Sequence, residues 1–199
     1  MSRGKLAILT VFLVLLLDQL LKIYTKTHFM LGQEFRIANW FIIHFTENNG
    51  MAFGMELGGS VGKLILSLFR VIAVIAIAGY LVYLVRQKSS RGLIISIALI
   101  LAGALGNIVD SLFYGMIFNN SYYQLATLFP SEGGYSSFLH GKVVDMLYFP
   151  LLQGHFPTWV PIWGGEEFEF FRPVFNLADS AITVGVAIIL LFQKKFFKD

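Results

Sequence analysis

The sequence predicts an all-α integral membrane bundle of four transmembrane helices with an aromatic-rich outer loop. Three observations carry that reading. Charged residues make up only 14% of the 199-residue chain, where a soluble domain carries roughly 25%. Hydrophobic residues reach 56%, and mean hydropathy is +0.70. Four apolar runs approach the roughly 20 residues that a hydrocarbon core of about 30 Å requires.

The runs are 6–24, 64–85, 92–109 and 174–192, within a single membrane domain over 1–199. All five prolines (Pro130, Pro150, Pro157, Pro161, Pro173) lie between the third and fourth runs, as helix interiors demand. The first run, after Arg3 and Lys5, resembles the start of a secretory signal. It continues into Asp18-Gln19-Leu20-Leu21-Lys22 with no small-residue cleavage site, so it reads as a retained helix. Eight of the fifteen basic residues border the runs on one side: Arg3 and Lys5, Arg86, Lys88 and Arg91, and Lys194, Lys195 and Lys198. The positive-inside bias makes that side cytoplasmic, with both termini inside. The long loops 25–63 and 111–173 then face outward.

Within the first loop, Arg36 to Thr46 is rich in β-branched and aromatic residues and predicts a strand. The second loop holds sixteen aromatics from Phe113 to Phe171. Rings in that number suit either a segment resting at the headgroups or a small packed outer subdomain. Gly133-Gly134 and Gly164-Gly165 mark turns, and Glu166, Glu167 and Glu169 read as a solvated face.

Composition also excludes. With no cysteine there is no thiol nucleophile, disulfide or cysteine-ligated metal. A net charge of +3, with basic residues in short clusters beside apolar runs, gives no expectation of a nucleic-acid partner.

Polar residues inside apolar runs cost free energy and need a reason. Asp18 and Lys22 are one helical turn apart and can pair. Arg70 lies toward the outer end of the second run and is expected to snorkel to the headgroups. The third run ends Asn107-Ile108-Val109-Asp110-Ser111, and the fourth begins Asn176-Leu177-Ala178-Asp179-Ser180. Both read Asn-x-x-Asp-Ser, which puts Asn and Asp on one helical face at similar depth. A third acid, Asp145, follows Val143-Val144 in a stretch apolar enough to fold back on the bundle.

Two carboxylates held close in a poorly polar site share one proton. One then activates water and the other donates to a substrate carbonyl, which is aspartic-protease chemistry. Spacing alone does not pick the pair from three acids. Carboxylates can also hold a hard cation, but His28, His44, His140 and His155 lack paired ligand spacing, and no metal or cofactor is expected. A serine–lysine dyad of Ser111 or Ser180 with Lys142 lacks a nucleophile motif. A proton relay or small transporter would distribute its acids across the bilayer, whereas these cluster at one depth. A purely structural scaffold leaves the repeated Asn-x-x-Asp-Ser unexplained.

Taken with Asn48-Asn49-Gly50-Met51-Ala52-Phe53, these segments resemble the signal peptidase II family, the membrane aspartic proteases that process bacterial lipoproteins. Asp18 with Lys22 resembles the first motif. Asn48, Gly50, Ala52 and Phe53 fit Asn-x-Gly-x-Ala-Phe, Gly103 to Asp110 the third, and Val143-Val144-Asp145 and Phe175 to Ser180 the last two. The resemblance implies four spans with a small periplasmic β-rich cradle and a periplasmic lid segment. It implies cleavage before a diacylglyceryl-modified cysteine in a prolipoprotein, at the outer face of the inner membrane. Asp145 and Asp179 would be catalytic. Asp18, Lys22, Asn48, Gly50, Ala52, Phe53, Asn107, Asp110 and Asn176 would support them or bind substrate. The partners expected are the lipidated substrate and membrane lipid, and the enzyme is expected to be a monomer. Two departures stand out. Ser111 occupies a position where the family usually has Arg, a role open to Arg172 or Lys142. Residues 121–141 form an insertion, expected to act as a mobile or membrane-resting lid.

Overall fold

The computed structural model describes residues 1–49, 59–170 and 172–197. Helix α1 (Arg3–His28) opens on Ser2, whose Oγ accepts from Lys5 N. Helix α2 (Gly59–Arg86) is followed by α3 (Arg91–Val109), which Ser90 caps through Leu93 N. The apolar stretch continues from α3 through a π-helical turn (Asp110–Tyr114) into a last turn, α4 (Gly115–Ile117). Helices α5 (Leu177–Leu191) and α6 (Gln193–Phe196) end the described chain.

Among the described residues, three stretches are long and apolar enough to cross a membrane: Arg3–His28, Gly59–Arg86 and Arg91–Ile117. Helix α5 is apolar but only 15 residues long. It begins three residues later than the fourth apolar run, because Val174–Phe175 pairs as a strand. Hydropathy does not separate a buried strand from the helix that follows it. Arg3 Nε donates to Ser89 O, and Phe196 packs against the same apolar core as Leu93 and Ala98. The basic N-terminus, the α2–α3 turn and α6 therefore meet at one end of the bundle.

Helix α3 packs against α1, α2 and α5. Its contact with α5 has almost no side-chain thickness. A Cβ on Gly103 would lie 2.2 Å from Ala178 O, and one on Gly185 would lie 2.6 Å from Ser96 O. In lipid, where apolar surface gains nothing by leaving its surroundings, such close backbone packing drives helix association.

The segments between the helices form a four-stranded antiparallel sheet. Strands β1 (Glu34–Ala38), β2 (Phe41–Asn48), β3 (Val143–Tyr148) and β6 (Val174–Phe175) lie in the order β1-β2-β3-β6. Strands β4 (Leu152–His155) and β5 (Glu167–Phe170) form a separate hairpin. The strand expected over Arg36–Thr46 is thus a hairpin that turns at Asn39–Trp40. That turn lacks the glycine that ordinarily marks a two-residue loop, so the composition reads as continuous.

Residues 121–141, the segment expected to act as a lid, are tied to the rest of the molecule by backbone hydrogen bonds. Leu31 N donates to Ser121 O, Ala126 N to Lys26 O, Tyr135 N to Phe118 O, Ser136 N to Gly115 O and Gly141 N to Ser111 O. Ala126 and Tyr135 join a second apolar core with Phe45, Tyr114, Phe118, Val144 and Met146. Glycine permits this seam, since a Cβ on Gly141 would lie 2.0 Å from Asp110 O and one on Gly134 would lie 2.1 Å from Gly115 O. Tyr123 and Phe129 remain exposed at its tips. The segment thus packs against the sheet and the ends of α1 and α3, with aromatic rings exposed at its edges.

Gly103→Val is expected to force α3 and α5 apart and to cost about 3 kcal/mol. Thermal unfolding in detergent checks this, with Gly79→Ala, which meets open space, remaining near wild type.

Candidate active site

The polar centre lies where α1, the end of α3, β3 and the start of α5 meet. Each element delivers its side chain for a local reason. In β3, the register sets Thr46 opposite Asp145 and Asn48 opposite Val143. Asn48 is two residues from Thr46, so it shares its face and reaches Asp145 diagonally. Its Nδ2 donates to Asp145 Oδ2. The short β6 pairs Phe175 with Leu147, which brings the next residue, Asn176, beside β3.

Asn176 caps α5 in a reciprocal capping box. Its Oδ1 accepts from Asp179 N at 2.9 Å, and Asp179 Oδ2 accepts from Asn176 N at 3.4 Å. The Nδ2 of Asn176 donates to Asp145 Oδ1 at 2.7 Å and to Asn107 Oδ1 at 3.0 Å. The Nδ2 of Asn107 in turn donates to Asp179 Oδ1 at 2.7 Å. The two asparagines of the repeated Asn-x-x-Asp-Ser thus join Asp145 to Asp179.

Behind them lies a buried cation. Lys22 Nζ is 3.0 Å from Asp18 Oδ2, 2.8 Å from Asp110 Oδ2 and 2.9 Å from Asn107 Oδ1. Its three N–H groups thus meet three acceptors. The pairing expected of Asp18 and Lys22 is present, enlarged to a triad by Asp110. Asp18 Oδ1 also accepts from Ala178 N at the start of α5, at 2.9 Å. A carboxylate is favoured there by the free N–H groups of a helix N-terminus. Asp110 Oδ2 accepts from Val144 N, fixing β3 against α3.

Several participants carried weaker sequence signals. Gln19 Nε2 donates to Asp18, Asp110 and Gly106 O, and its Oε1 accepts from Tyr114. Lys26 is buried and pairs with Glu47, with Ser121 bonded to both. Asp18, Lys22 and Lys26 recur every four residues, a stripe visible in the sequence. Arg70 is half-buried on the α2 face that also carries Lys63 and Ser67, where the charges of Asp179, Asp110 and Asp145 act on it. It faces the acids rather than snorkelling. Ser111 is buried and donates to Asn107 O. Of the residues considered for the usual Arg role, Arg172 is exposed and Lys142 lies 3.7 Å from Glu47. Gly50, Ala52 and Phe53 lie outside the described residues.

Electrostatics set Asp145 apart. Burial first, then the nearby Asp179 charge, push its carboxyl up to about 8. Two acids bridged by asparagines, one of them with a raised carboxyl, make this centre a candidate site for a membrane peptidase of the aspartic type.

Comparison with known proteins agrees. Residues 10–195 match the family model of Signal peptidase (SPase) II. The lipoprotein signal peptidase of Porphyromonas gingivalis is 52% identical, over 96% of this chain and 84% of its own. That of Amoebophilus asiaticus is 40% identical, over 92% of this chain and 75% of its own. A bacterial membrane enzyme solved in meso at 1.9 Å superposes with a TM-score of 0.60 at 26% identity, covering 97% of this chain and 93% of that one. A second such structure, at 2.3 Å, gives 0.59 at 25% identity, covering 97% and 91%. The chain belongs to the signal peptidase II family.

Two outcomes follow. Lys22→Met should destabilise the fold by about 3–5 kcal/mol, because it leaves two buried carboxylates without their cation; thermal unfolding measures it. Asp145 also makes stability pH-dependent. Its folded value lies above the ordinary 3.8, so its contribution is full below pH 4 and lost as pH rises toward 8. The slope is at most about 1.4 kcal/mol per pH unit. Denaturation of Asp145→Asn over that range should show a flatter profile than wild type.

Proposed function

We propose that the enzyme removes the signal peptide of prolipoproteins by cleaving before the diacylglyceryl-modified cysteine, with Asp145 and Asp179 activating a water. One observation carries the reading. The two carboxylates come from different elements, yet Asn176 and Asn107 bond across both. Asp145, with its raised carboxyl, keeps the shared proton and donates it to the scissile carbonyl oxygen. Asp179 takes a proton from water, whose oxygen attacks the carbonyl carbon. The tetrahedral intermediate collapses as Asp179 passes that proton to the leaving nitrogen, while the former carbonyl hydroxyl returns its proton to Asp145. Asp18, Lys22, Asn107, Asp110 and Asn176 hold the geometry, while Asn48 orients Asp145.

In this reading α5 is the fourth membrane helix and both termini are cytoplasmic. The basic residues gathered at one end of the bundle support that orientation. The acids then work at the outer face of the bacterial inner membrane, and lipid reaches the exposed apolar flanks of α1 and α2.

Purified Asp145→Asn and Asp179→Asn should each lose cleavage of a lipidated prolipoprotein by at least about a thousandfold, while remaining folded by thermal unfolding. Wild-type cleavage should persist in chelator. Its rate should fall as pH rises past 8, when Asp145 loses the shared proton. Near-wild-type turnover in either variant refutes the pair.

A further inference from the structure

Asn48 reaches Asp145 from the end of β2, and little of the sheet holds that end in register. Between Ile43 and Thr46 the pairing with β3 shifts, three steps of β2 running against two of β3. Beyond that bulge only Thr46, Glu47 and Asn48 pair, opposite Asp145, Val144 and Val143. A bulge disrupts the ladder locally. A further slip by one residue would turn Asn48 to the opposite face, away from Asp145.

The neighbouring residue supplies an anchor. Glu47 lies opposite Val144 and shares its face, which is turned to the second apolar core, whereas Asn48 points to the other side. On the core side Glu47 forms an ion pair with Lys26, which is buried in the last turn of α1. Lys26 Nζ also donates to Ser121 Oγ at 2.8 Å, and Ser121 Oγ donates to Glu47 Oε1 at 3.1 Å. The second oxygen, Glu47 Oε2, lies 3.7 Å from Lys142 Nζ. The rings of Tyr135, Phe118 and Phe45 stand 5.0, 5.4 and 5.9 Å from the Lys26 ammonium, so cation–π attraction fixes where it sits. Ser121 opens the 121–141 insertion, and Ala126 N ties that segment to Lys26 O at 3.2 Å. Helix α1, the insertion and β2 thus meet at one carboxylate. Holding Glu47 on one face of the strand fixes the rotation of β2 about its own axis, and with it the direction of Asn48 on the other.

We propose that the Lys26–Glu47 pair, completed by Ser121, is a positioning device for the peptidase reaction, acting through Asn48 to hold Asp145 in its working orientation. The inference rests on the reading of Asp145 as one of the two working acids. It gives the insertion a part in the chemistry through Ser121, at a distance from the reacting atoms.

The pH profile separates this role from a direct effect of charge. Lys22 on α1, Arg70 on α2, Asp110 at the end of α3 and Asp179 on α5 all act on Asp145 by charge. Removing the negative charge of Glu47 would by charge alone help Asp145 to ionise, and would move the alkaline fall in rate to lower pH. Losing the Asn48 amide, which favours the ionised carboxylate, moves that fall to higher pH. Purified full-length Glu47→Gln, assayed on a lipidated prolipoprotein, should show kcat about tenfold lower, KM within about twofold of wild type, and an alkaline fall shifted upward. The same substitution in an Asn48→Ala background should add no further loss, because the pair works through Asn48. An alkaline fall that stays in place or shifts downward overturns the role, as does a full additional loss in the Asn48→Ala background. Should Glu47→Gln fail to fold by thermal unfolding, Ser121→Ala removes hydrogen bonds without removing a charge. It should lower kcat about threefold with the same upward shift, and an unchanged kcat and profile there overturns the proposal. Asp145→Asn tests the reading underneath. Turnover in that variant refutes the acid pair and this role with it, whereas an inactive Asp145→Asn beside an unaffected Glu47→Gln overturns the positioning role alone.

Discussion

The structure depends on one buried ammonium. Lys22 is inaccessible to solvent and uses its three donors on Asp18, Asp110 and Asn107. Each acceptor ties a different part of the molecule. Asp18 reaches the first N–H groups of α5, Asp110 reaches the backbone of β3, and Asn107 reaches both Asn176 and Asp179. An isolated ammonium at this depth would cost several kcal/mol, so the triad holds only with all its members in place. Because Asn107 Oδ1 accepts from Lys22, its Nδ2 must point the other way, at Asp179. A charge on α1 thereby fixes the orientation of an amide on α3 and, through it, a carboxylate on α5.

That arrangement explains how two acids can be held close without a fixed charge between them. The neutral amides of Asn176 and Asn107 contact the carboxylates directly, while the cation stands one residue behind. Direct pairing of Lys22 with Asp145 would favour its ionised form. With the cation kept one residue away, burial and the neighbouring Asp179 leave its carboxyl raised, outweighing the lowering effects of Lys22 and of the Asn176 amide. The π-helical turn at Asp110–Tyr114 belongs to the same design. It lets α3 finish its polar work at Asp110 and Ser111, then turn Tyr114 inward to Gln19 and the outer core.

Much of this was legible in the sequence where the signal was local. Asp18 and Lys22 stand one turn apart, and the repeated Asn-x-x-Asp-Ser gives the facing asparagines and acids by helical geometry alone. Long-range partners carried no such mark. Nothing near Asp110 in the sequence shows that Lys22 chooses it as well as Asp18, since that depends on how α1 crosses α3. Lys26 carries no local sign of its partner, because Glu47 lies on another element, although its spacing from Lys22 continues the stripe. The Asn39–Trp40 turn and the start of α5 are hidden in the sequence for one reason. Apolar β-branched and aromatic residues look alike in a strand, a turn flank and a helix. The insertion was read from its rings, whereas glycines at 134 and 141 decide how tightly it seats.

The capping box at α5 has a consequence for inhibition. Asp179 and Asn176 start a helix as well as facing the site, and Asn107, Asp18 and Asp110 bind elements together. A molecule that gripped only this polar wall would touch residues whose replacement also loosens the fold. Resistance by substitution there would sacrifice the enzyme along with the drug. Escape variants would be driven to the periphery, to residues that shape entry without supporting the frame, and a compound with few peripheral contacts would leave them little to change.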